Sequence, residues 1–236
     1  MIPDAIAPGG TPSATPVAPA DTPQVRSKQD QQLADALADA HNLIKAALDS
    51  PALIEVLSPA GYDEAELNAG LALWAAAQEK YDARQTADAE CAQTKADRDK
   101  LLNEMRAEFM AYRVAVQVDY KGVERAALGA SGRVPGDLER LQTSIRAAYA
   151  AGQKDPYAAK LAKSGFTIVR LQKGVAGVAL FSASDTLFKQ HDRAVTDATA
   201  TRDKAAGELK AWVAKFRKLA KSNLQDHPSL RAKLGV

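Results

Sequence analysis

The chain has 236 residues, 46% of them hydrophobic but only 6% aromatic, and its 31 basic and 29 acidic side chains leave a formal charge of +2. That length supplies a core for one or two domains. The near-neutral balance excludes a strong global pull toward nucleic acid or anionic lipid, though not a local patch, and the single cysteine, Cys91, excludes an internal disulfide and favours a reducing compartment.

Residues 1–27 form a compositional zone of their own. Prolines at positions 3, 8, 12, 16, 19 and 23, set among Ala, Thr and Gly, break helices and bury no core. The expectation is a disordered or polyproline-like tail, serving as a tether or as a docking peptide. From about Lys28 almost everything reads as helix. A first helix over about 28–49 carries Leu33, Leu37, Leu43, Ile44 and Leu48 on one apolar stripe. A short helix then starts at Ser50-Pro51, a polar cap followed by a proline at the first helical position, and stops at Gly61. A long proline-free helix covers about 63–118. Its start pairs the cap Asp63 with Glu66 in a capping box, and Tyr62 with Leu67 in a hydrophobic staple.

The same order then recurs. After the breaker Gly132-Arg133-Val134-Pro135-Gly136, a helix begins near Asp137 with Leu138, Leu141, Ile145 and Tyr149 on its stripe. Asp155-Pro156 opens a short helix, Gly165 ends it, and a second long helix covers about 167–224. From Gly61 to Arg113 the two copies align without a gap at a constant offset of 104, Gly61 matching Gly165. Leu67-x-x-Gly70 matches Leu171-x-x-Gly174, and Arg98-Asp99-Lys100-x-x-x-Glu104 matches Arg202-Asp203-Lys204-x-x-x-Glu208. Leu128-Gly129 and Leu234-Gly235 close the copies. A repeat of this kind governs the reading of the fold. The expectation is an all-α, elongated bundle of two tandem repeats, 28–130 and 136–236, packed as one pseudo-twofold domain. Its two long helices run antiparallel because neither is stable without a partner along its apolar seam. Charge suggests a register with Arg98 beside Asp192 and Asp88 beside Arg202. That register also sets Leu71 by Leu219, Trp74 by Phe216, Phe109 by Phe181 and Tyr112 by Val178.

Candidate chemistry is sparse. His191 falls on the apolar stripe and reads as an interior histidine, His41 reads as solvated beside Asp35 and Asp39, and His227 lies in a turn before Pro228. No Glu-x-x-His pair, His-Glu-x-x-His motif or phosphate loop occurs, and one cysteine makes no thiolate zinc site. No catalytic, cofactor or metal residues are therefore assigned. The doubled Arg-Asp-Lys-x-x-x-Glu reads as charged helix surface, with interhelical pairing at the waist as its furthest reach. The one basic patch is Lys210, Lys215, Arg217, Lys218 and Lys221, interleaved with Trp212 and Phe216. Such a helix can track phosphates or lie on an anionic membrane, while basic residues near a helix C-terminus also complement its dipole.

With its doubled unit and the closing Pro228-Ser229-Leu230-Arg231-Ala232-Lys233-Leu234-Gly235-Val236, the chain resembles uncharacterised bacterial all-helical proteins built from a duplicated helical unit. The resemblance implies a fold and no activity. The sequence reading is thus a non-catalytic structural or protein-interaction module whose partner is a protein, itself or another, with self-assembly as a dimer or filament open to it. The alternative is binding to nucleic acid or an anionic membrane surface through 210–221. No cofactor and no small-molecule substrate are inferred. No stretch reaches the ~18–20 apolar residues of a spanning helix and no ordinary secretory signal opens the chain, so the expected setting is soluble and cytoplasmic, with atypical export left open.

Overall fold

The computed structural model describes residues 27–236, so the expectation for the proline-rich tail lies outside the described residues. The regular structure of these 210 residues is all helical, with no strand among them. The order is α1 (Lys28–Leu48), α2 (Pro51–Leu57) with a 3-10 turn at Ser58–Ala60, α3 (Glu64–Asp119), α4 (Gly122–Ala127), α5 (Leu138–Gly152), α6 (Tyr157–Lys163), α7 (Ile168–Asn223) and α8 (Pro228–Leu234).

The long helices start where local chemistry says they should. The Asp63 carboxylate accepts from the Glu66 amide at 2.9 Å, and the Thr167 hydroxyl accepts from the Arg170 amide at 3.3 Å, each satisfying a free donor of the first turn. Tyr62 and Leu67 are buried in one cluster, Phe166 and Leu171 in another, as the staple requires. Gly61 and Gly165 both sit at φ 84°, a left-handed conformation that costs a glycine nothing.

Three starts differ from expectation. Glu66 closes no capping box, because its carboxylate accepts the Trp212 indole N–H across the seam at 2.9 Å. Ser50 makes no side-chain cap; its backbone carbonyl takes the amides of Leu53 and Ile54 instead. Pro156 precedes its helix and does not occupy the first turn, since the Lys154 carbonyl accepts the amides of Tyr157 and Ala158.

The helices α3 and α7 each hold 56 residues, about 84 Å of rod at 1.5 Å per residue. They run antiparallel. Glu66 meets Trp212, Glu90 meets His191, Arg98 meets Asp185 and Glu108 meets Arg170, one number rising as the other falls. The register is not the one charge suggested. Arg98 reaches Asp185, at 3.8 Å, and not Asp192; Arg202 reaches Asp30 on α1, and Asp88 pairs with Arg84 on its own helix. Trp74 stacks on His41 with ring centroids 4.0 Å apart, whereas Phe216 packs on Tyr62.

Buried apolar side chains gather at the two ends. At the first end, α1 and α2 close over the start of α3 and the finish of α7, around Leu43, Leu53, Leu57, Tyr62, Leu67 and Phe216. At the second, α5 and α6 close over the finish of α3 and the start of α7, around Phe109, Tyr112, Ile145, Tyr149, Leu161 and Phe181. Between Tyr81 and Met105 the only buried residue of α3 is Thr94, and between Phe181 and Leu209 the only one of α7 is Arg202. The middle is therefore a thin waist. The two closing leucines cross over: Leu128 is buried at the second end and Leu234 at the first.

Candidate functional site

The five cations near the end of α7 are all exposed, and their neighbours Trp212 and Phe216 turn inward to the seam. At about 100° per residue, Lys210, Arg217 and Lys221 share one face, while Lys215 lies about 140° away. The aromatics belong to the core, and with Lys218 about 80° round from Lys210, four of the five cations fall within an arc of about 100°. Lys210 and Arg217 border a groove of about 530 Å³ between α1 and α7, walled by Leu33, Leu37, Leu209 and Val213.

The histidines fall in different surroundings. His191 is half-buried at the waist with Nδ1 3.5 Å from Glu90. His41 is also half-buried, stacked on Trp74 and not solvated as its neighbours Asp35 and Asp39 suggested. The apolar face of α1 extends to His41 because Trp74 supplies an aromatic surface for it. His227 is exposed at the start of α8.

The doubled arginines do different work. Arg202 is 5% exposed, and its guanidinium donates to Asp30 at 2.8 Å and to Asp203 at 2.7 Å. Asp30 is 6% exposed and also accepts from the Ser27 hydroxyl at 2.7 Å and from Arg84 at 3.4 Å. Burial alone would raise the Asp30 carboxyl, but the Ser27 hydrogen bond and the Arg84 and Arg202 charges outweigh it and hold it below the usual carboxylate value. Arg98, the counterpart of Arg202, lies over the Phe188 ring at 4.2 Å and pairs with Asp99 at 2.7 Å. The Cys91 thiol is pushed up by burial and by the nearby carboxylates of Asp192 and Asp88.

The feature sequence reasoning missed is a cavity of about 450 Å³ between α3 and α7 at the second end. Leu101 and Met105 line one side and Gly174 and Gly177 the other, with Glu104, Glu108, Arg170 and Lys173 among its lining residues. Arg170 and Glu108 form a two-point pair there, Nε to Oε1 at 2.6 Å and Nη2 to Oε2 at 3.0 Å. Tyr149 also lines the cavity. It is 2% exposed, and its hydroxyl has no hydrogen-bond partner. Burial and the neighbouring Glu108 carboxylate push that hydroxyl well above its ordinary value. The only sequence signals were mismatches in the alignment of the two halves: Tyr149 aligns with Leu48, and Glu108 with Trp212.

No helix among the described residues is long and apolar enough to cross a membrane. Comparison of the chain with protein-family models, curated proteins and solved structures finds no match.

Proposed function

We propose that the chain is a non-catalytic structural or protein-interaction module, built by duplication of a helical unit, that assembles with copies of itself as a dimer or filament. The observation that carries this reading is apolar surface left uncovered on both rods. Met110, Val114 and Val118 recur at four-residue spacing along α3, with exposures of 48%, 56% and 78%. Val169, Leu180 and Leu187 follow one another on α7 at spacings of eleven and seven, with 74%, 62% and 47% exposed. Spacings of seven and eleven keep side chains on one face of a helix, and a face that lines up exposed apolar side chains is one on which a second copy can pack. The duplication is supported by the matching turns at Gly61 and Gly165 and by the crossed burial of Leu128 and Leu234. A cytoplasmic setting agrees with the single cysteine.

Light scattering combined with small-angle scattering tests the proposal. The mass should rise with concentration, and Val114→Glu with Leu180→Glu should return it to that of one chain. A single-chain mass at every concentration rejects the reading. The alternative, phosphate or anionic-lipid binding through Lys210, Lys215, Arg217, Lys218 and Lys221, draws support from the exposure of all five. It requires affinity that falls steeply with salt, whereas apolar assembly holds or strengthens.

A further inference from the structure

One arginine at the second end is buried without a carboxylate. Arg113 is 6% exposed, and its Nη2 donates to two backbone carbonyls, Gly132 at 2.6 Å and Ala130 at 3.4 Å. The other arginines set into the rods, Arg84, Arg98, Arg170 and Arg202, each face a carboxylate on another helix, whereas none among the described residues pairs with Arg113. A buried guanidinium with no counter-charge is costly. Its Nε and Nη1 donate to no group among the described residues, and both keep accessible surface.

Arg113 lines a pocket of about 290 Å³ between the end of α3, the end of α4, α5 and the connection from α4 to α5. The charged and hydroxyl groups of that lining are two guanidiniums, Arg113 and Arg133, and two hydroxyls, Ser131 and Ser144; no carboxylate is among the lining residues. In the adjoining cleft Asp137 caps α5 by accepting the Arg140 amide at 2.8 Å, and the charges of Glu139 and Arg140 cancel. The pocket thus gathers two positive charges and hydroxyl donors around a space that holds no anion of the protein's own. A phosphate group carries about −1.5 to −2 at pH 7 and several acceptor oxygens, enough for both guanidiniums. A carboxylate, with one charge and two oxygens, leaves one of them unmatched. We propose that this pocket binds a phosphate group, either the free ion or a small organic monoester. Arg113 is its buried anchor, and the exposed Arg133 meets it from the connection between α4 and α5.

Calorimetric titration of the full chain with inorganic phosphate, glycerol 3-phosphate and acetate, at constant ionic strength, tests this. A phosphate should bind saturably, one per chain, with a dissociation constant of about 0.1–1 mM. It should raise the thermal midpoint where chloride of equal ionic strength does not. Whichever of the two phosphates binds more tightly names the source, and acetate should bind at least about tenfold more weakly. Arg133→Gln removes an exposed side chain from the mouth, so it should weaken binding about tenfold and leave the ligand-free midpoint where it was. Arg113→Lys keeps the buried charge and should weaken binding as much; where it fails to fold, Arg133→Gln decides alone. Absence of saturable heat from both phosphates overturns the proposal, as does acetate binding as tightly as phosphate. Wild-type affinity in Arg133→Gln overturns it too, and would move the anion to the cations of α7. Mass and phosphate affinity are separate readouts, so this proposal and self-assembly can fail independently.

Discussion

The two ends of the molecule are closed in the same way, by two shorter helices over the paired rods, but with different side chains. Each has a helical glycine pressed by an aromatic ring, but the ring comes from α7 at the first end, as Trp212 on Gly70, and from α5 at the second, as Tyr149 on Gly174. Each has an arginine of the doubled Arg-Asp-Lys run facing a carboxylate on another helix. At the first end the carboxylate belongs to α1, and the pair Arg202–Asp30 is buried at 2.8 Å; at the second it belongs to α7, and Arg98–Asp185 stands at 3.8 Å. The fold fixes where glycine, ring and ion pair must be, and leaves open which helix supplies them. The first end spends its aromatic on the seam between the rods and is filled there; the second spends it on the α5 side and keeps a cavity.

The largest test of this contrast is electrostatic. Asp30→Ala removes the carboxylate from a buried pair and leaves the Arg202 guanidinium with only the exposed Asp203, which should cost about 2–3 kcal/mol. Asp185→Ala leaves Arg98 with Asp99 and the Phe188 ring, and should cost under about 1 kcal/mol. Urea denaturation of each variant measures the difference, and equal losses would erase the distinction between the ends. Acid reads the same group. Because the folded carboxyl of Asp30 titrates below its unfolded value, its contribution is complete above about pH 4 and fades as pH falls through the folded value. The gap in stability between the wild type and Asp30→Asn should therefore narrow below pH 4.

Helix ends were readable because capping is local. Asp63, Thr167 and Asp137 each cap through a side-chain oxygen, and the expected spans 63–118 and 167–224 differ from α3 and α7 by one residue at each end. The pairing of the rods was not readable, and the slip is smallest at the waist. Arg98 was matched to Asp192 and meets Asp185, seven residues away. A slip of seven returns a helix to nearly the same face, so the apolar stripe is almost blind to it. What sets the register is the docking of Trp212 on Gly70 and of Arg170 on Glu108, contacts that no periodicity encodes. The cavity stayed hidden for the same reason: Gly177 and Glu108 are unremarkable apart, and only the correct register sets them side by side.

A second test asks how firmly each ring is held. A methyl at either glycine would meet ring carbons at 2.4 Å. Tyr149 has nowhere to go, being buried with its ring centroid 5.0 Å from that of Tyr112 and 6.1 Å from that of Phe109. Trp212 is half-buried and can swing outward. Gly174→Ala should therefore cost about 1–2 kcal/mol, overpacking outweighing the gain in helix propensity. At Gly70→Ala that gain, up to about 1 kcal/mol, offsets most of the strain. Denaturant midpoints for the two alanine variants decide the order, and a costlier Gly70→Ala would mean that Trp212 is the more tightly held ring.

The smallest difference lies at the starts of the rods. Asp63 accepts from the Glu66 amide at 2.9 Å and brings a negative charge to the positive end of α3, whereas Thr167 accepts at a longer 3.3 Å and brings none. Asp63→Ala should cost about 1 kcal/mol and Thr167→Ala about 0.5 kcal/mol. Amide exchange locates the effect better than global stability does, because each loss should appear first as faster exchange in the opening turn of its own rod. Glu108 sharpens the comparison: its pair with Arg170 holds the third residue of α7 from outside the helix. Glu108→Gln should therefore deepen the Thr167→Ala loss and leave the Asp63→Ala loss unchanged, since α3 starts at the opposite end of the molecule.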